Sequence, residues 1–172
     1  MKSKIITAAA MFALMSGGTA LGQDTAPSSA KFVDAKGEQA GTAELTAAAA
    51  GGVLIRMEIS GLPAEQWVAV HVHETGECDA STQHESAGGH FNPGSKAHGY
   101  QSADGPHAGD MPNQYVGTDG VLRTEIHNPM ISLDKNETGV IGRALMVHAK
   151  RDDYKSQPSG DAGQRLACGV IR

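Results

Sequence analysis

Residues 53–59 place Val53, Ile55, Met57 and Ile59 on one side of an extended chain and Arg56 and Glu58 on the other. A period of two predicts a strand with one buried and one wet face. Beyond residue 22 no long run has a 3.6-residue period, so helices cannot supply the core. Short strand-like segments instead lie between Gly-rich turns: Lys31–Ala35, Thr42–Thr46, Val53–Ile59, Trp67–His73, Asn113–Gly117, Val121–His127, Val140–His148 and Arg165–Ile171. Ala47–Gly52 reads as a hairpin-like connection despite its alanines. The expected fold is therefore all-β: eight antiparallel strands in a Greek-key sandwich or flattened barrel. A chain of 172 residues is enough for one such domain with a sizeable core.

Two connections are too long for a plain strand protein. Glu74 to Pro112 covers 39 residues and Ala149 to Gln164 covers 16, neither with clear periodicity. A loop of that length stays ordered inside a compact domain only if something covalent or functional orders it. The first loop contains Cys78 and four histidines, so a metal site together with a disulfide is the expected source of order.

The first 22 residues read as a cleavable leader. Lys2 and Lys4 precede an apolar run from Ile5 to Met15, and Ala20-Leu21-Gly22 is a small-x-small cleavage pattern. That run is too short to span a bilayer, so residues 1–22 are a secretory signal and 23–172 the mature domain. Export predicts a periplasmic or otherwise oxidising location and pairing of Cys78 with Cys168; two free buried thiols are the alternative. The bond would close a loop of about 90 residues, restricting the unfolded chain by about 4–5 kcal/mol in the entropy model. The net charge of −5, without a Lys/Arg block, argues against duplex nucleic acid or an anionic membrane surface as partner.

Eight histidines in so weakly charged a chain point to metal. His71-Val72-His73 lies in a predicted strand, so both imidazoles project from the face opposite Val68, Val70 and Val72. An H-x-H pair alone is expected by chance about 0.4 times at this composition, so it carries weight only with its context. His90, His98, His107 and Asp110 fall within 21 residues, a donor set that suits tetrahedral zinc with no open position. His148 shares a strand face with Ala144 and Met146 and can point toward His71 and His73. A fourth imidazole joining three others favours copper. His84 and His127 lack such context and are expected to be solvated.

Four segments together resemble one family. They are His71-Val72-His73-Glu74, Ala87-Gly88-Gly89-His90-Phe91-Asn92-Pro93, Gly142-Arg143-Ala144-Leu145-Met146-Val147-His148, and the run Gly160 to Val170 that contains Arg165 and Cys168. With the spacing H-x7-H-x8-H-x2-D at His90, His98, His107 and Asp110, they resemble the Cu,Zn superoxide dismutases. The leader and the stretch Asp152 to Gly160 are similar to the bacterial periplasmic branch.

The resemblance implies one copper on His71, His73, His90 and His148, and one zinc on His90, His98, His107 and Asp110, with His90 bridging the two. It implies that Asp152 ties the two metal sites through their histidines, that Arg165 docks superoxide, and that Arg165 and His90 are the catalytic pair. Ser159 stands where eukaryotic members carry a threonine. Lys150, Arg151 and Lys155 form a basic cluster suited either to drawing in the anion or to plain solvation. The rival reading is a non-catalytic periplasmic copper-binding or chaperone protein on the same fold. No stable membrane anchor is expected, and monomer and homodimer both stay open.

Overall fold

A computed structural model describes residues 27–172; the expected leader lies outside the described residues. Nine strands follow in order: β1 (Ser28–Asp34), β2 (Gln39–Ala47), β3 (Val53–Ile59), β4 (Trp67–Val68), β5 (Val70–His73), β6 (Gln114–Tyr115), β7 (Leu122–Asn128), β8 (Ala144–His148) and β9 (Arg165–Ile171). Seven form one antiparallel sheet in the order β5-β8-β9-β1-β2-β3-β7, curled into a half-barrel, while β4 and β6 pair separately. The small sheet lies between the two edges, because β4 runs into β5 and the Gln114 side chain of β6 bonds Thr124 of β7.

The alternating segment at β3 behaves as its pattern demands, with buried and exposed residues in strict succession. Its buried side chains join Phe32, Leu45, Leu122, Leu145 and Ile171 in one core. Each such burial contributes about 1.5–3 kcal/mol, so the core is built mainly by aliphatic residues. The Ala47–Gly52 connection is the expected tight turn, with Gly51 and Gly52 at φ 89° and 79° and Ala48 donating to the Gly52 carbonyl.

Two expected strands differ from the pattern. Trp67–His73 is interrupted at Ala69, whose N–H donates to the Lys150 carbonyl and whose carbonyl accepts from His148. That diversion lets β4 leave the main sheet, which side-chain alternation cannot reveal. Val140–His148 starts as a strand only at Ala144, because Gly142 (φ 82°) and the Arg143 N–H bond to the Val140 carbonyl form a turn first.

The edge of β5 is where the long loop docks. Val72 donates to the Gly109 carbonyl, Phe91 donates to the Val72 carbonyl, and Glu74 donates to the Gly89 carbonyl. These bonds lay His90 and Asp110 beside His73 and His71 as isolated bridges and cover the unpaired edge. Cys78 and Cys168 are joined, fastening the same loop to β9. Arg143 adds a third tie, donating to the Glu74 carbonyl while its guanidinium lies over the Phe91 ring.

Candidate metal centre

His71 and His73 share one face of β5 and His148 ends β8, the strand beside it. The loop between β5 and β6 brings His90, His98, His107 and Asp110 over that face, and the loop between β8 and β9 brings Asp152. All these side chains are buried. The face opposite the valines is thus closed by the two loops, and the histidines are not on an open surface.

The nitrogens divide by their outer partners. His73 Nδ1 bonds the Gly88 carbonyl at 2.9 Å and His148 Nδ1 the Gly163 carbonyl at 3.3 Å, so each Nδ1 carries the proton and each Nε2 keeps a lone pair. Those two Nε2 atoms face each other at 3.3 Å. His71 Nε2 donates to Asp152 at 2.8 Å, leaving Nδ1 buried without a partner. His90 Nε2 is likewise buried and unpartnered. Four buried lone pairs converge with no donor among them, which is costly unless a cation takes them.

A second cluster surrounds one carboxylate oxygen. Asp110 Oδ1 lies 3.0 Å from His90 Nδ1, 3.1 Å from His98 Nδ1 and 3.5 Å from His107 Nδ1. The other oxygen accepts from the backbone of Gly99 and His107 at 2.9 and 3.0 Å. In each group of four the donor atoms lie within 4.8 Å of one another. His90 belongs to both, with Nδ1 turned to one and Nε2 to the other. Four imidazoles suit copper, and three imidazoles with a carboxylate suit zinc, so the residues present fit both ions.

Asp152 joins the clusters from outside, with Oδ2 on His71 and Oδ1 on His98 at 3.0 Å. Asn113 clamps its backbone, accepting from Asp152 N at 2.7 Å and donating to its carbonyl at 2.9 Å. Gly160 (φ 69°) passes so close that a Cβ there would collide with the Asp152 carboxylate. Burial lowers the pKa values of His73 and His148, and burial with neighbouring His71 lowers that of His90 to about 4. Burial also pulls His98 down, but its bonds to Asp110 and Asp152 outweigh this and raise it to about 9. Burial would raise both carboxyls, yet the histidines bonded to them hold Asp110 and Asp152 well below the usual carboxylate range.

Arg165 pairs with His148 across the β8–β9 ladder and borders a cavity of about 220 Å³ with His73, His90, His148, Glu85 and Ser159. A larger hollow of about 540 Å³ lies elsewhere, beside Lys31, Cys78 and Arg172, and among the described residues no group of metal donors converges on it. The chemistry belongs to the smaller one. Of the expected basic cluster, Lys150 pairs with Asp161 at 3.6 Å, while Arg151 lies in a separate hollow with Trp67 and Tyr154.

His127 is exposed as expected, but His84 is a correction: it is buried, with both ring nitrogens unpartnered. The loop fastened at Cys78 folds it inward, with its N–H on the Asp79 carbonyl and its carbonyl accepting from Arg165. Asn113, Glu85 and the carbonyls of Gly88 and Gly163 were not expected as site elements. Backbone carbonyls carry no residue identity, and Asn113 and Glu85 have no spacing signal.

The copper/zinc superoxide dismutase (SODC) family model matches residues 39–171. Superoxide dismutase [Cu-Zn] 2 of Aquifex aeolicus is 47% identical over 147 residues, covering 83% of this chain and 85% of that one. Superoxide dismutase [Cu-Zn] of Caulobacter vibrioides is 39% identical, covering 79% and 80%. Among solved structures, a SOD-like protein from Bacillus subtilis superposes with a TM-score of 0.81 at 34% identity, covering 84% of this chain and 97% of that one. With its buried His and Asp donors, this chain belongs to the copper/zinc superoxide dismutase family, an enzyme that dismutes superoxide with copper and zinc.

Proposed function

We propose that His71 Nδ1 and the Nε2 atoms of His73, His90 and His148 hold copper, that Nδ1 of His90, His98 and His107 with Asp110 hold zinc, and that Arg165 docks superoxide. The observation that carries this reading is His90, whose two nitrogens face different four-donor groups. When bound, copper supplies the one-electron couple that oxidises one superoxide and reduces the next, and zinc supplies fixed positive charge beside His90. Arg165 offers a planar, permanently charged donor edge to the small anion at the cavity. His90 Nε2 takes up a proton in the half-cycle that releases oxygen and gives it up in the half-cycle that releases hydrogen peroxide. Solvent supplies the second proton, so two superoxides and two protons yield one O2 and one H2O2. Asp152 orients His71 and His98 through their outer nitrogens and fixes their tautomers.

Residues 1–22 serve as the export leader and 23–172 as the mature periplasmic domain; the Cys78–Cys168 bond supports an oxidising compartment. The test is metal analysis and a dismutase assay on protein recovered from the periplasm. One copper and one zinc per chain with turnover is expected. Copper without turnover would favour the non-catalytic copper-binding alternative.

A further inference from the structure

Arg165 does not face the cavity as a bare cation. Its Nη1 donates to the His84 carbonyl at 2.7 Å and its Nη2 to the Gly88 carbonyl at 2.8 Å. The Glu85 carboxylate lies 3.3 Å from the same Nη2. Of the five N–H donors of a guanidinium, two are fixed on carbonyl oxygens and a third faces an anion belonging to the protein. Glu85 is exposed and borders the same cavity as His73, His90 and His148, so its charge stands where a small anion enters. Lys150, whose stem runs along Gly163 of the cavity wall, is paired with Asp161. Each of these two cations therefore carries its own carboxylate.

We propose that Glu85 limits anion affinity at the entrance: its carboxylate competes with superoxide for the Nη2 edge of Arg165 and lowers the positive potential of the cavity mouth. The inference deepens the function proposed above and rests on Arg165 as the docking group. Opposite charges at contact distance largely cancel for an approaching ion, and the exposed carboxylate is screened by salt. Removing its charge strengthens attraction for any small anion, most at low ionic strength. Glu85 is thus an affinity-setting residue that itself touches neither metal group.

The test measures kcat/KM for superoxide with the metal-loaded enzyme, its Glu85→Gln variant and a Glu125→Gln control. Glu125 pairs with Arg56 on the outer face of β7, the far edge strand, so the control makes the same net-charge change away from the cavity. Ionic strength is varied from ~0.01 M to ~0.15 M, over which the Debye length shrinks from about 30 Å to about 8 Å. E85Q is expected to raise kcat/KM about three- to tenfold at the low end, with the gain fading as salt rises. A second readout, independent of turnover, is phosphate protection of Arg165 from phenylglyoxal, followed by peptide mass. E85Q should lower the half-protecting phosphate concentration at least about threefold by the same electrostatics. E85Q matching E125Q at every ionic strength overturns the proposal, and so does a fall in kcat/KM, which would make Glu85 a support for Arg165. Arg165→Gln run in parallel separates the layers: if it keeps full kcat/KM the docking role itself fails, and if it loses kcat/KM while E85Q is silent only the Glu85 inference fails.

Discussion

On one side of the metal centre, His71, His73 and His148 stand on neighbouring strands β5 and β8, held in register by the ladder beneath them. On the other, His98, His107 and Asp110 come from a single stretch of loop, and their convergence depends on one carboxylate oxygen. The first half presents only imidazoles, and burial lowers the basicity of His73 and His148 among them. The second contains an anion that raises the basicity of its neighbour His98. Rigid, neutral imidazoles suit an ion that changes charge during turnover, whereas a carboxylate-centred loop suits an ion of constant charge that organises the segment around it.

The strongest way to break this division is His148→Gln. With one strand-borne donor gone, dismutation is expected to fall to the spontaneous rate while zinc stays near one per chain, measured by rapid kinetics and metal analysis. Retained activity, or simultaneous loss of zinc, would mean that the halves are not separate sites. Asp152→Asn sharpens the comparison by loosening the outer link. Replacing such an orienting partner typically costs about 10–100-fold in metal affinity. Because the carboxylate holds His71 with one oxygen and His98 with the other, chelator competition should show both copper and zinc weakened. A change confined to one metal would assign the carboxylate to that half alone.

The strand-borne half is the more legible in the sequence. Alternation placed Val68, Val70 and Val72 in the core and turned His71 and His73 to the other face, and β3 and β9 have the expected limits. Alternation reports which face a side chain takes and nothing about which backbone lies beside it. The break at Ala69 was therefore invisible, since it follows from the Lys150 carbonyl far along the chain. The loop donors were legible from residue type and spacing, and the bond between Cys78 and Cys168 from export. His84 failed for a reason of the same kind as Ala69. Polarity favours solvent, but a loop fastened across a separation of 90 residues decides the burial of what lies under it.

The smallest effect concerns the metal-free chain, where the two halves should pull stability in opposite directions with pH. The strand-borne His73 and His148 have folded pKa values below the free value of 6.5, and His90, shared by both groups, is lowered to about 4. As pH falls through 6.5 the unfolded chain binds protons first, so their contribution is lost as pH drops below 6.5, that of His90 by about pH 4. His98 has a folded pKa raised to about 9, so its contribution is complete below 6.5 and disappears as pH rises toward 9. The depressed carboxyls Asp110 and Asp152 lose theirs only as pH falls below the free value of 3.8, outside this window. Chemical denaturation of the metal-free protein should therefore show a stability maximum near pH 6.5, with limbs no steeper than about 1.4 kcal/mol per pH unit for each group. His98→Gln should flatten the alkaline limb and leave the acid one, and His148→Gln should make the acid limb shallower and leave the alkaline one. If either variant altered both limbs equally, the charge division between the strand-borne and loop-borne donors would be lost, and the two halves would have to be treated as one coupled cluster.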